Sequence, residues 1–115
     1  MTRASGSLLT PSFEDVFETS VKESISKLLG DVVLKSISFY FDPKILVRDP
    51  NRLLDAFRKL FGNTATMLEK EVKEDLGEKM GVSRDQRSAL DFRSFIKTAK
   101  SLFTSRSSKK MRTSI

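Results

Sequence analysis

Three glycines close runs of apolar residues spaced as in helices: Gly30 follows Leu28-Leu29, Gly62 follows Leu60-Phe61 and Gly81 follows Met80. Glycine takes the left-handed C′ conformation without the Cβ penalty that other residues incur, so each of the three is a helix stop. Helix starts recur just as regularly. Ser12 is placed to cap a helix, with Asp15 three positions on in a capping-box relation, and Asp31 follows Gly30 directly. Asp49-Pro50 joins a capping carboxylate to a proline at N1, where the missing N–H costs nothing. Asn63-Thr64 follows Gly62, and Asp91 precedes a last apolar stripe.

The stripes between these marks have helical period. Phe13, Val16, Phe17, Val21, Ile25, Leu28 and Leu29 predict a first helix of about 17 residues. Leu53, Leu54, Phe57, Leu60 and Phe61 predict one over 50–61, and Ala65, Leu68, Val72, Leu76 and Met80 predict another that runs to Gly81. Gly77 lies inside it, where glycine costs about 1 kcal/mol relative to alanine, and marks an expected close helix contact. Residues 44–49 read as a connector whose apolar centre, Ile45 to Val47, lies across the core. Residues 82–90 carry a Ser83-to-Gln86 capping pattern with little apolar content, a turn or a short helix. From Asp91 an amphipathic helix is expected to Phe103, with Phe92, Phe95, Ile96, Ala99, Leu102 and Phe103 on one side and Arg93, Lys97 and Lys100 on the other. Residues 1–11 read as a flexible leader and 104–115, Ser-rich and basic, as a disordered tail, leaving a single helical domain over 12–103.

The stretch SISFYF at 36–41 fits two templates. As a strand, Ile37, Phe39 and Phe41 alternate with Ser36, Ser38 and Tyr40; as a helix, Val33, Leu34, Ile37, Tyr40 and Phe41 form one stripe that omits Phe39. The helix is favoured because the stripe extends upstream, because Gly30-Asp31 supplies a stop and a start, and because a lone strand has no partner to pair with. Pro43 disfavours helical geometry at Asp42, so this helix is expected to end there.

Composition narrows the chemistry. The 115 residues contain neither cysteine nor histidine. Disulfides, thiolate nucleophiles, zinc–thiolate sites and imidazole general bases are therefore absent, and no EF-hand-like loop or paired-Asp motif suggests a carboxylate metal site. The reading is of a non-catalytic protein with no metal and no cofactor. There is no apolar run near the ~20 residues of a membrane span, nor a secretory leader, so stable membrane insertion is not expected and the cytoplasm is the expected location. The net charge of +6 is uneven: residues 12–80 hold 13 acidic and 11 basic residues, whereas 81–115 hold 2 acidic and 9 basic. The basic character is thus a C-terminal property, and the candidate phosphate contacts are Arg93, Lys97, Lys100, Arg106, Lys109, Lys110 and Arg112.

The aromatic run resembles, in composition, the stacking platforms of single-strand nucleic-acid binders. Only Lys35 and Lys44 flank it, however, and Asp42 adds negative charge, so core packing is the preferred reading, with Phe39 at a subunit contact. A helix apolar on several sides in a chain this short favours dimerisation. Phe39, Tyr40, Phe92, Phe95 and Phe103 are accordingly the candidate interaction residues.

The runs LLGDV at 28–32, SFYF at 38–41, DPNRLLDAFRKLFG at 49–62 and ATMLEKEV at 65–72 resemble the small archaeal Nitrosopumilus output domain family, over about residues 13–81. The resemblance implies a helical module attached to signalling or regulatory architectures, with no catalytic residue set to carry over. The expectation is an all-α, compact bundle of four main helices plus a basic amphipathic C-terminal helix. Two functions fit it: a homodimeric regulatory module acting through contacts with a protein partner whose identity is open, or a nucleic-acid-associated protein using its basic end for phosphate contacts.

Overall fold

The computed structural model describes residues 12–39 and 41–113, with side chains described as far as 105; the leader expected over 1–11 lies outside this range. All regular structure among the described residues is helical. Helix α1 (Phe13–Leu29) begins with the reciprocal capping box expected of it: Ser12 Oγ accepts from Asp15 N at 3.1 Å and Asp15 Oδ2 accepts from Ser12 N at 3.0 Å. Gly30 alone separates it from α2 (Asp31–Ile37). Its φ of 95° is open to glycine and strained for other residues, and its N–H closes α1 on Ser26 O at 2.8 Å. Gly30, not Asp31, is therefore the N-cap of α2, and Asp31 is the first helical residue, its carboxylate accepting from Ser26 Oγ.

Helix α2 ends at Ile37, five residues short of the expected Asp42. Two hydroxyl bonds lie at its last turn, Ser36 Oγ donating to Val32 O at 2.8 Å and Ser38 Oγ to Lys35 O at 2.7 Å. Residues 38–39 form a turn, so the strand template is excluded. The expected connector holds one helical turn, α3 (Pro43–Leu46), started by Asp42 Oδ1 accepting from Lys44 N at 3.1 Å. Its apolar centre is divided: Val47 is buried, Leu46 is half-buried and Ile45 is exposed.

Helix α4 (Pro50–Phe61) has the expected bounds, with Asp49 Oδ1 accepting from Asn51 N. A 3-10 turn (Gly62–Thr64) leads into α5 (Ala65–Met80), which Gly81 ends in the left-handed conformation. Ser83 caps the short α6 (Arg84–Ala89) by accepting from Gln86 N. The last helix, α7 (Phe92–Thr113), starts where Asp91 Oδ1 accepts from Ser94 N at 2.7 Å. It continues ten residues past Phe103, so no helix end falls at the expected 103/104 boundary; no glycine or proline follows Asp91 to supply one.

Helix α5 is the centre of the bundle, packed against α1, α4, α6 and α7, while α1 also carries α2 and α3. One apolar cluster joins them, with Phe17, Val21, Ile25, Leu53, Phe57, Leu68, Val72, Leu76 and Phe95 fully buried. Aromatic contacts tie distant segments: Phe17 meets Phe92 at 6.1 Å between ring centroids, Phe13 meets Phe103 edge-on at 6.0 Å, and Phe41 stacks on Phe57 at 5.9 Å.

Candidate functional site

The aromatic run divides in two. Ile37 and Phe41, one helical turn apart and joined by Phe41 N donating to Ile37 O at 2.8 Å, enter the core. Phe39 points outward and is 91% exposed, the most exposed large apolar side chain among the described residues. Val32, in the first turn of α2, is 78% exposed. Asp31, Lys35 and Asp42 are exposed around them, so the surface bears both signs of charge. Tyr40 lies outside the described residues. Of the other interaction candidates, Phe92 and Phe95 are buried in the chain's own core and offer no surface to a partner; the same stripe that marked them as apolar places them inside. Phe103 is half-buried against Phe13.

The basic candidates Arg93, Lys97 and Lys100 are exposed on successive turns of α7, opposite its buried stripe. Arg106, Lys109, Lys110 and Arg112 lie on the same helix, with side chains outside the described range. Lys100 Nζ is 3.4 Å from Glu14 Oε2. Two further cations join this surface that a count along the chain did not connect with it. Because α3 packs on α1, Lys44 and Arg48 come round to the start of α1 and border, with Lys100, an open hollow of about 520 Å³ that Ser12, Glu14, Asp15 and Glu18 complete. Lys100 also borders a shallow hollow with Lys97, Ser101, Thr104 and Ser105, so it lines both.

A third hollow, about 420 Å³, lies where α5 faces α6 and the start of α7. Two of its cationic side chains, Arg87 and Lys73, hold the fold. Arg87 is buried, donating from Nε to Val82 O at 2.9 Å and from a terminal nitrogen to Glu74 Oε1 at 3.2 Å. Lys73 Nζ donates to Leu90 O at 2.8 Å, satisfying a carbonyl at the end of α6. Gly77 makes this arrangement fit, since a Cβ there would lie 2.4 Å from Arg87 Nε. The close contact expected at Gly77 is thus with an arginine side chain. The unfavourable glycine in mid-helix was the sequence signal, but nothing in the sequence named its neighbour.

Along the seam of α1 and α5, Lys27 pairs with Glu71 at 2.9 Å, and Lys79 reaches Glu23 at 2.7 Å, Asp75 at 2.9 Å and Ser20 Oγ at 3.2 Å. Burial opposes charge on Lys79, but the hydrogen bonds it donates to Glu23 and Asp75 outweigh that and hold the ammonium above its ordinary pKa. Among the described residues no three metal-binding side chains converge, and no helix is long and apolar enough to cross a membrane.

The two capping carboxylates impose an acid dependence. Hydrogen bonds from the backbone and side chain of Ser12 hold Asp15 below the ordinary carboxylate pKa, and those of Ser94 do the same for Asp91. A depressed native pKa contributes stability that is complete above the unfolded value, about 3.9, and lost as pH falls through the native value. Thermal melts are therefore expected to show Tm falling below about pH 4, with a shallower fall in the Asp15→Asn, Asp91→Asn double variant. An equal fall in both proteins would place the acid sensitivity elsewhere.

No protein-family model, curated protein or solved structure matches this chain.

Proposed function

We propose that the chain is a non-catalytic regulatory module of the cytoplasm that acts through protein contacts, pairing with a second copy of itself through the face of Val32 and Phe39. The observation that carries this is the outward Phe39 beside a core that Ile37 and Phe41 already fill. Asp31, Lys35 and Asp42 around the face allow a two-fold pair to set unlike charges opposite each other. A regulatory role is what the resemblance of residues 13–81 to an archaeal output domain would imply.

Magnitudes set the expected strength. Burying Val32 and Phe39 of both copies contributes about 6–12 kcal/mol, against an association cost of about 4–15 kcal/mol. The pair is therefore a weak, concentration-dependent dimer. In a sedimentation-velocity series the average mass is expected to rise with protein concentration, and in Phe39→Asp to stay at that of the monomer. A monomer throughout the series, or a variant that associates as the parent does, would contradict the proposal.

A second reading rests on the row of Arg93, Lys97 and Lys100. Cations on successive turns of a helix whose apolar side is occupied suit the phosphates of a nucleic acid.

A further inference from the structure

We infer that the nucleic-acid surface spans two parts of the fold: Lys44 of α3 and Arg48 of the turn that follows it act with Arg93, Lys97 and Lys100 of α7 on one sugar-phosphate backbone. The inference rests on the second reading above and adds partners that chain position alone assigns to a different region. Lys100 is the hinge of the arrangement, bordering the hollow that contains Lys44 and Arg48 as well as the one that contains Lys97. Lys44 and Arg48 are exposed and take part in no ion pair among the described residues.

The hollow at the start of α1 also contains three carboxylates, which oppose an anion. Each has an identified partner: Asp15 accepts from Ser12 N, Glu18 pairs with Lys22 at 2.8 Å, and Glu14 pairs with Lys100 at 3.4 Å. Glu14, through Lys100, and Asp15, whose carboxylate feels the charge of Lys44, therefore both compete with phosphate for cations of the surface. A nucleic acid fits better than an anionic membrane because Phe92, Phe95, Ile96 and Ala99 are buried, so this part of α7 has no apolar side to insert into lipid. Its partner is then an extended row of phosphates, which cations spaced along a helix and across to α3 can follow.

The test is a salt titration of binding to a short mixed-sequence DNA duplex by the full chain, Lys44→Gln/Arg48→Gln, Arg93→Gln/Lys97→Gln and Glu14→Gln, each checked for an unchanged melt. Each cation that neutralises a phosphate adds about 0.9 to the slope of log K against log salt. Removing Lys44 and Arg48 should lower the slope by about 1.8, so a fourfold rise in salt costs the variant about 12-fold less affinity than it costs the parent. Glu14→Gln, which frees Lys100, should bind more tightly than the parent. If the parent binds and the α7 variant weakens while the α3 variant keeps the parent slope, the inference fails and the α7 reading stands. Absence of salt-dependent binding by the parent overturns both. Binding to phosphatidylcholine–phosphatidylserine vesicles but not to DNA also overturns the inference, since the partner would then be a membrane surface.

Discussion

Phe41→Ala is expected to destabilise the protein by about 3–5 kcal/mol, whereas Phe39→Ala two positions away should change stability by no more than about 0.5 kcal/mol. Phe41 is 1% exposed and stacks on Phe57, itself fully buried in α4, so its loss leaves a cavity between the end of α2 and the centre of the bundle. Against a total stability of about 5–15 kcal/mol for a domain, that is a large fraction. Phe39 makes no such contact to lose. Urea unfolding of the two variants at a concentration where the parent is monomeric measures both effects. Equal losses, or a larger one for Phe39, would contradict the assignment of the two rings to inside and outside.

Gly77→Ala is expected to destabilise by about 1–3 kcal/mol, although helix propensity alone would make it stabilising by about 1 kcal/mol. The new methyl would meet the middle of the Arg87 side chain, with Nε at 2.4 Å and Cδ at 2.7 Å. Those atoms are not the free end of a flexible chain. Moving them breaks the bond to Val82 O and separates the guanidinium from Glu74. The double variant Gly77→Ala/Arg87→Ala tests the cause, since adding the alanine at 77 should cost much less, or stabilise, once Arg87 is gone. Additive losses would show that the helix itself, not Arg87, rejects the methyl.

The sequence was most legible where a cap, a stripe and a stop agreed. Ser12, the stripe from Phe13 to Leu29 and Gly30 predict α1 to the residue; Asp49-Pro50 and Gly62 do the same for α4. It was less legible at the end of α2, where apolar residues at helical spacing continue to Phe41 although the helix stops at Ile37. The extension of α7 was missed for the opposite reason: a polar, basic composition argued for disorder, while nothing in it stops a helix already begun.

The candidate surfaces divide along the same line. Phe39 was recognisable because it fell off the stripe of its segment, a local property that Val32 shares. Phe92 and Phe95 could not be told from interface residues by pattern, because an apolar helix face looks the same whether its own core or another chain covers it. Lys44, Arg48 and Arg87 owe their roles to which helices pack together, a long-range fact that charge counted along the chain does not contain.

The most direct measurement places p-benzoylphenylalanine at position 39 and irradiates the otherwise unchanged chain. The expected result is a covalent pair of copies, with attachment points on the second copy around Val32 and position 39. Adducts confined to the same copy, or none, would contradict pairing through Phe39.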